Sequence, residues 1–577
     1  MRENSRSHKA QVVIDRMGKK LSRQMVGSLV GCVHCGLCTD SCHYVLANPE
    51  DPTFAPAYKA DRIRRIFKHH YDWTGRFFPW WVKAGTVLTD AELEELKDIA
   101  FGKCTNCRRC SLNCPMGVDF ATVNRMARGL LVSVGVMPEG VAHVSKDQWE
   151  IGNQMGVLKE DYLETLEWMS EELQDEVEDP AAVIPVDQHG CEVVYAINPR
   201  EVKYDPRSIA DAAKIFWAAG EDWTMASEGW DMTNFGLFSG DDDLGGAVAR
   251  RLYEKVEELG GKRLVISECG HGFRSTRCEG PNWAKYDVGF RMESSIDTML
   301  RYIAEGRIEV DKSRNSLPVT YHDSCNMARS CGVTEEPREL LRQVCADFRE
   351  MHPNRAENFC CTGGGGAMSM SEYTAQRLTS AKVKAEQLRE TGAAVVVTSC
   401  HNCVDGLTDL IRHYKLDMKV TQLVNLVAEA LVIEERIPAV PAVEVAEVAV
   451  LTGRKIVVAD DEPDQVIYLK SVLEDHGAEV HTAEDGDAAL ELSKRLKPDL
   501  LTLDLAMPGR EVTEIFDILR GQSDLADLKI CIITGRPEMR KLIYERMDAP
   551  PDGYLDKPVE EEELILAVRK ILEIKVH

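Results

Sequence analysis

The sequence predicts a multidomain chain: a mostly α, cysteine-rich module, then a two-lobed α/β region, then a small doubly wound α/β domain. Three observations predict it. Two cysteine runs of matching spacing sit among helical patterns in the N-terminal third. From Ala182 to Val432, apolar strand-like runs alternate with helical patterns, as α/β layering requires. Beyond residue 454, apolar runs repeatedly end in acidic or hydroxyl residues, where doubly wound sheets place their sites. A chain of 577 residues also exceeds what one core holds. The expected segments are an N-terminal extension (1–21), the cysteine-rich helical module (22–140), an acidic helical connector (141–181), a first lobe (182–316), a second lobe (317–432), a linker (433–453) and the final domain (454–577).

Composition narrows the function classes. With 44% apolar and 28% charged residues the chain reads as globular. A net charge of −26 argues against nucleic acid as a partner, because phosphate binding needs a basic surface. No stretch approaches the roughly 18 apolar residues that span a bilayer, and the start lacks a signal-peptide core, so a cytoplasmic location is expected. The 19 cysteines cluster at ligand spacing without an export signal, which points to metal clusters rather than disulfides.

Cys32-x-x-Cys35-x-x-Cys38-x-x-x-Cys42 and Cys104-x-x-Cys107-x-x-Cys110-x-x-x-Cys114-Pro115 are two copies of the bacterial ferredoxin run. Three closely spaced thiols wrap one corner of a [4Fe–4S] cubane, and the fourth reaches across to the other cluster. Cys32, Cys35, Cys38 and Cys114 are therefore assigned to one cubane, and Cys104, Cys107, Cys110 and Cys42 to the second. Zinc sites usually pair two short hooks instead. His43 stands where proline normally follows the first run. Between the runs, Asp61–Tyr71 reads as a basic amphipathic helix, followed by the aromatic stretch from Arg76 to Trp81. That combination suits either a membrane or partner surface, or packing on its own module. Thr89-Asp90-Ala91-Glu92 marks a helix start, and Val118–Val134 is again helical.

Five cysteines of the second lobe carry the most information: Cys325, the adjacent pair Cys360-Cys361, then Cys400 and Cys403. Neighbouring thiols fit poorly on one tetrahedral zinc. The glycines after the pair (Gly363–Gly366) are expected where backbone approaches a ligand closely. Cys325 rather than Cys331 is chosen as ligand because it directly follows the strand Val319–His322. An internal repeat is visible: Lys262–His271 parallels Ala394–Cys403, and Cys191–Pro199 parallels Leu317–Cys325. The first copy has no cysteine pair near Thr233–Gly236 and retains only Cys269. Cys278, Cys345 and Cys531 read as ordinary small apolar residues.

This arrangement resembles the CCG motif of heterodisulfide-reductase-type proteins, over roughly residues 20–435. The resemblance implies that the five cysteines hold a non-cubane [4Fe–4S] cluster in a two-lobed CCG domain whose first lobe is degenerate. It implies a thiol:disulfide oxidoreductase subunit, similar to the cytoplasmic iron–sulfur subunit of sulfite-reduction-associated membrane complexes. The implied partners are a membrane cytochrome b-type subunit and a small protein bearing a disulfide, trisulfide or persulfide, with the chain peripheral at the inner face of the membrane. His322 and His401, beside ligand cysteines, either donate protons to a departing thiolate or hydrogen-bond cluster sulfur. Cys269 and His271 either face the substrate or pack in the opposed lobe.

In the final domain, Lys455–Ala459 ends in Asp460-Asp461, Leu500–Leu503 in Asp504, Ile530–Ile533 in Thr534-Gly535, and Gly553-Tyr554-Leu555-Asp556 leads into Lys557-Pro558. This resembles a response-regulator receiver domain of flavodoxin-like fold over about 454–575. The resemblance implies phosphorylation of Asp504 by a histidine kinase, Mg²⁺ held with the help of Asp460 and Asp461, phosphoryl contacts from Thr534 and Lys557, and a switching role for Tyr554. Pro508-Gly509-Arg510-Glu511 lacks the usual Asp-Gly there. The receiver either switches or serves as a docking module. Two other functions compete with the disulfide enzyme: an electron relay in a flavin-based or electron-transfer-flavoprotein system, and a redox-sensing signalling protein. Against the last, no output domain follows the receiver.

Overall fold

The computed structural model describes residues 8–84, 88–433, 450–505, 507, 510, 512–522, 525, 528–535, 551–557, 559, 561–572 and 574. Most of the expected linker and the Pro508, Gly509, Glu511 and Pro558 positions lie outside the described residues. The chain divides into two compact units, Met1–Glu435 and Arg436–His577.

In the first unit, the cysteine-rich N-terminal part contains only helices among its described residues. The helix Pro56–Tyr71 starts on Pro56, whose missing N–H costs nothing at that position, and buries Ala60, Ile63, Ile66 and Phe67. Thr89 and Glu92 exchange side-chain and backbone hydrogen bonds in a capping box that opens Asp90–Lys97. The helix Phe120–Val132 is buried on nearly every side, and its residues join one apolar cluster with Leu29, Phe101, Phe235 and Phe238.

Two parallel four-stranded sheets follow. The first contains β1 (Val193–Ala196), β2 (Trp223–Met225), β3 (Arg263–Ile266) and β4 (Arg291–Ser294) in the order β2-β1-β3-β4. The second contains β5 (Pro318–Tyr321), β6 (Asp347–Arg349), β7 (Val395–Val397) and β8 (Lys419–Thr421) in the order β6-β5-β7-β8. The two orders are the same permutation, so the sequence repeat corresponds to a repeated sheet. In each, strand order reverses between the first and third strands, and the crevice at their carboxyl ends is where such sheets bind ligands. β1 and β7 are buried at every position, as expected for strands covered on both faces.

The second unit holds β9 (Lys455–Ala459), β10 (Glu479–Ala483), β11 (Leu500–Leu503), β12 (Lys529–Thr534) and β13 (Gly553–Asp556), all parallel, in the order β10-β9-β11-β12-β13. Ile456 pairs with Leu500 and Ala459 with Leu503, which brings the residues after β9 and β11 side by side at the switch point.

Candidate functional site: a line of thiols between two lobes

Both cysteine runs wrap in the same way. His34 and Gly36 in the first run have positive φ (55° and 89°), and so do Asn106 and Arg108 at the equivalent places in the second (54° and 66°). Such backbone is uncommon for residues other than glycine, so the surrounding chain must hold it. Cys32, Cys35, Cys38 and Cys114 line one cavity. Cys42, Cys104, Cys107 and Cys110 line another, with His43, Tyr44 and Lys59. Each cavity thus receives three thiols from one run and a fourth from the other, a donor set that fits a [4Fe–4S] cubane.

The five cysteines of the second lobe leave the carboxyl ends of β5 and β7 or the loop between Asn358 and Gly366. Their thiols form a continuous line. Cys325 contacts Cys360, Cys360 contacts Cys361, and Cys361 Sγ lies 3.2 Å from Cys403 Sγ, which contacts Cys400. Cys360, Cys361, Cys400 and Cys403 are buried and Cys325 is half-buried, so the line opens at the Cys325 end. Five thiols exceed the four ligands of a zinc site. His401 Nδ1, Ser324 Oγ and Thr362 Oγ1 are buried there without a hydrogen-bond partner. Soft ligands and orphaned polar atoms together fit an iron–sulfur cluster.

The line also meets thiols beyond the residues predicted as ligands, at Cys360 and at its Cys400 end. Cys360 also contacts Cys107 of the second run, and Thr105 Oγ1 lies 3.4 Å from Cys360 Sγ. At the far end Cys400 contacts Cys269 of the first lobe. Cys269 Sγ is 3.1 Å from His271 Nδ1 and 3.4 Å from Asn198 Nδ2. The glycine loop makes this packing feasible. A Cβ at Gly363 would meet the Asn402 carbonyl oxygen at 2.0 Å, and one at Gly365 would meet the Thr105 carbonyl oxygen at 2.4 Å. These glycines therefore admit neighbouring backbone, a role more specific than the ligand approach expected from the sequence.

The two histidines are electrostatically distinct. Burial and then the nearby Lys384 push His322 down, keeping it neutral. Its Nδ1 lies 3.1 Å from Asn358 Nδ2, and Asn358 Oδ1 accepts from Lys384 Nζ at 2.6 Å. Burial drives the Lys384 ammonium down to about 7. Burial also opposes charge on His401, but the Glu201 carboxylate 2.9 Å from its Nε2 outweighs it, so His401 is pushed up. Burial lowers His271 to about 4. The sequence does not single out Asn198, Glu201, Asn358 or Lys384; only the placement of Asn198 and Glu201 just after a strand end gives any signal.

Cys278 departs from its sequence-based expectation. It is exposed, not an ordinary apolar residue, and its Sγ lies 3.4 Å from Cys331 Sγ. Cys331 therefore faces the first lobe, while Cys325 faces the five-thiol line. Cys345 and Cys531 are buried.

In the second unit, carboxylate oxygens of Asp460, Asp461 and Asp504 lie within 4.8 Å of one another, an all-oxygen set that fits Mg²⁺. Lys557 Nζ is 2.7 Å from both Asp460 and Asp504. Burial lowers the lysine and the two carboxylates raise it, with a net rise. Thr534 is buried at the end of β12, and Tyr554 is half-buried against the apolar cluster of Ala459 and Leu503.

Family models match three parts of the chain: a 4Fe-4S dicluster domain at residues 28–118, a cysteine-rich domain at 319–407 and a response regulator receiver domain at 456–569. The chain thus combines a dicluster domain, a cysteine-rich domain and a receiver domain, and it is similar to heterodisulfide-reductase-like iron–sulfur subunits. It is 27% identical over 460 residues to Hdr-like menaquinol oxidoreductase iron-sulfur subunit 2 of Archaeoglobus fulgidus, covering 70% of this chain and 79% of that protein. It is 27% identical to one subunit of the dihydromethanophenazine:CoB--CoM heterodisulfide reductase of Methanosarcina mazei, covering 72% of this chain and 98% of that one. It is 26% identical to an EtfAB:quinone oxidoreductase of Syntrophomonas wolfei, covering 54% and 43%. These relatives place the chain among electron-transferring iron–sulfur oxidoreductases. No helix among the described residues is long and apolar enough to cross a membrane.

Proposed function

We propose that the chain is the iron–sulfur subunit of a membrane-associated oxidoreductase complex that acts on the disulfide or trisulfide of a small partner protein. The observation that carries this reading is the unbroken line of thiols from Cys107 through Cys360, Cys361, Cys403 and Cys400 to Cys269, with Cys325 joining at Cys360. When bound, two cubanes and one non-cubane [4Fe–4S] cluster would supply one-electron transfer and iron for sulfur–sulfur chemistry. Cys32, Cys35, Cys38 and Cys114 would hold the first cubane, Cys42, Cys104, Cys107 and Cys110 the second, and Cys325, Cys360, Cys361, Cys400 and Cys403 the third cluster. Contact between Cys107 and Cys360 keeps two of these ligand shells adjacent.

The remaining work falls to the protein. Burial of four of the five thiols excludes water, and the half-buried Cys325 end admits a sulfur substrate. His401, whose Nε2 meets Glu201 and whose proton affinity is thereby raised, is the better proton donor; His322, pushed down and fixed by Asn358, suits hydrogen bonding. Cys269 and His271, both fully buried, pack against the Cys400 end of the line. Trp73, Phe77, Trp80 and Trp81 are exposed after the basic helix and offer a docking face for a membrane subunit. The acidic pocket of the receiver supports Mg²⁺ binding by Asp460 and Asp461 and phosphorylation of Asp504 by a histidine kinase, with Thr534 and Lys557 on the phosphoryl oxygens.

EPR of the holoprotein with and without a thiol- or persulfide-bearing partner tests the reading. A signal that responds to thiol and is lost in Cys360→Ser supports it; an unchanged spectrum leaves electron relay alone. The similarity to the EtfAB:quinone oxidoreductase favours that relay as the second reading, and co-purifying flavoproteins instead of a cytochrome b-type subunit would select it.

A further inference from the structure

Cys278 and Cys331 stand apart from the cluster ligands, and the surroundings of each point to reactivity. Cys278 lies in the π-helical turn Arg274–Glu279 of the first lobe, and Cys331 follows the π-helical turn Cys325–Ser330 of the second. Such turns are rare and recur at functional sites. Arg274 joins them, its Nη1 3.3 Å from Asn326 Oδ1. The two sulfurs, 53 residues apart in sequence, are 3.4 Å from each other. Cys278 is exposed and Cys331 half-buried, so both are within reach of solvent. Among the described residues no third metal-ligating atom joins the pair, so it lacks the donor set of a zinc site.

We propose that Cys278 and Cys331 form a redox-active dithiol, a second thiol–disulfide exchange site that bridges the two lobes. Its substrates are disulfides of small thiols or of exposed protein cysteines. The Cys278 thiolate attacks such a disulfide RS–SR, forming a Cys278–SR bond and releasing RS⁻. Cys331 then attacks Cys278 Sγ, forming the Cys278–Cys331 bond and releasing the second RS⁻, which is protonated by the Cys331 thiol proton. Two thiols are oxidised by two electrons, and one external disulfide is reduced to two thiols.

The local chemistry sets the order of attack. A hydrogen bond from Cys331, aided by Arg277 and Arg274 against partial burial, lowers Cys278 to about 7. Hydrogen bonding to Cys278 and burial raise Cys331, which suits it to the second, resolving step. Closure requires the sulfurs to approach from 3.4 Å to a bond of about 2.05 Å. The resulting bond would tie the lobes together. This inference stands independently of any activity at the five-thiol set.

The test treats the cluster-loaded full chain with 5,5′-dithiobis(2-nitrobenzoate) and maps the products by peptide mass spectrometry. The wild type should release two thionitrobenzoate ions at this pair and yield a Cys278–Cys331 cross-linked peptide. Cys331→Ser should release one and retain a stable mixed disulfide on Cys278. Iron content, unchanged between the two, shows that the clusters are intact. A wild type that retains the mixed disulfide on Cys278, or never yields the cross-linked peptide, overturns the proposal. The wild-type peptide map decides the matter even if the serine variant fails to fold.

Discussion

Replacing Arg128 by methionine should loosen the joint that holds the cysteine-rich module against both lobes. The Arg128 side chain is fully buried, and its guanidinium donates to four carbonyl oxygens: Ala100 at 2.9 Å, Phe238 at 2.9 Å, Gly365 at 2.6 Å and Cys104 at 2.6 Å. These belong to the second cysteine run, the helix before it, the first lobe and the glycine loop. Burial lowers the guanidinium to about 10, so it stays charged at neutral pH. Hydrogen bonds to a charged donor contribute about 1.5–3 kcal/mol each, but four on one group are not additive. Leaving a buried carbonyl unpaired costs about 1–3 kcal/mol, so losing this donor should cost several kcal/mol, a large share of a total near 5–15 kcal/mol. Methionine keeps most of the volume, so the loss reports on the hydrogen bonds. Arg128→Lys should fall between, because three donors on a point charge cannot reach four carbonyls. The assay is the urea midpoint for loss of cluster absorbance, read with tryptophan fluorescence and iron content. A methionine variant within about 0.5 kcal/mol of wild type, with full iron, would refute the reasoning.

Gly363→Ala should block the glycine loop, since its Cβ would sit 2.0 Å from the Asn402 carbonyl oxygen; iron should fall by about a third while both cubane EPR signals persist. Iron retained in full would contradict it. Asp211 is raised to about 7 by burial, against the pull of Arg207, so the folded state holds its proton more tightly than the unfolded chain does. Stability should therefore fall as pH rises from about 4 to about 7, by about 2–4 kcal/mol from this group, and Asp211→Asn should flatten that difference in paired urea titrations. In the receiver, acetyl phosphate with Mg²⁺ should label Asp504 and fail with Asp504→Asn. Lys557→Met should tighten Mg²⁺ binding several-fold in calorimetry, because Lys557 Nζ shares Asp460 and Asp504 with the metal; unchanged affinity would count against it.

The architecture was legible where its signals are local. Cysteine spacing within a run dictates how the chain can wrap, and both runs share their left-handed turns at His34/Gly36 and Asn106/Arg108. Apolar runs ending in Asp460, Asp504 and Thr534 marked strand ends, because parallel strands are buried on both faces and expose only their tips. The repeat between Lys262–His271 and Ala394–Cys403 likewise foreshadowed two sheets of one permutation.

Local sequence dictates the inventory: which thiols, carboxylates and histidines sit at strand ends and tight turns, since those depend on neighbours along the chain. Their pairings come from packing across the fold. Cys107 meets Cys360, Cys400 meets Cys269, Glu201 meets His401, and Cys278 meets Cys331 across the lobes. Each contact joins residues distant in sequence, and the packing of separate elements, which no local pattern encodes, brings them together. The same packing separates two histidines that read alike, because charge on a buried ring depends on the neighbour it meets: Lys384 near one, Glu201 against the other.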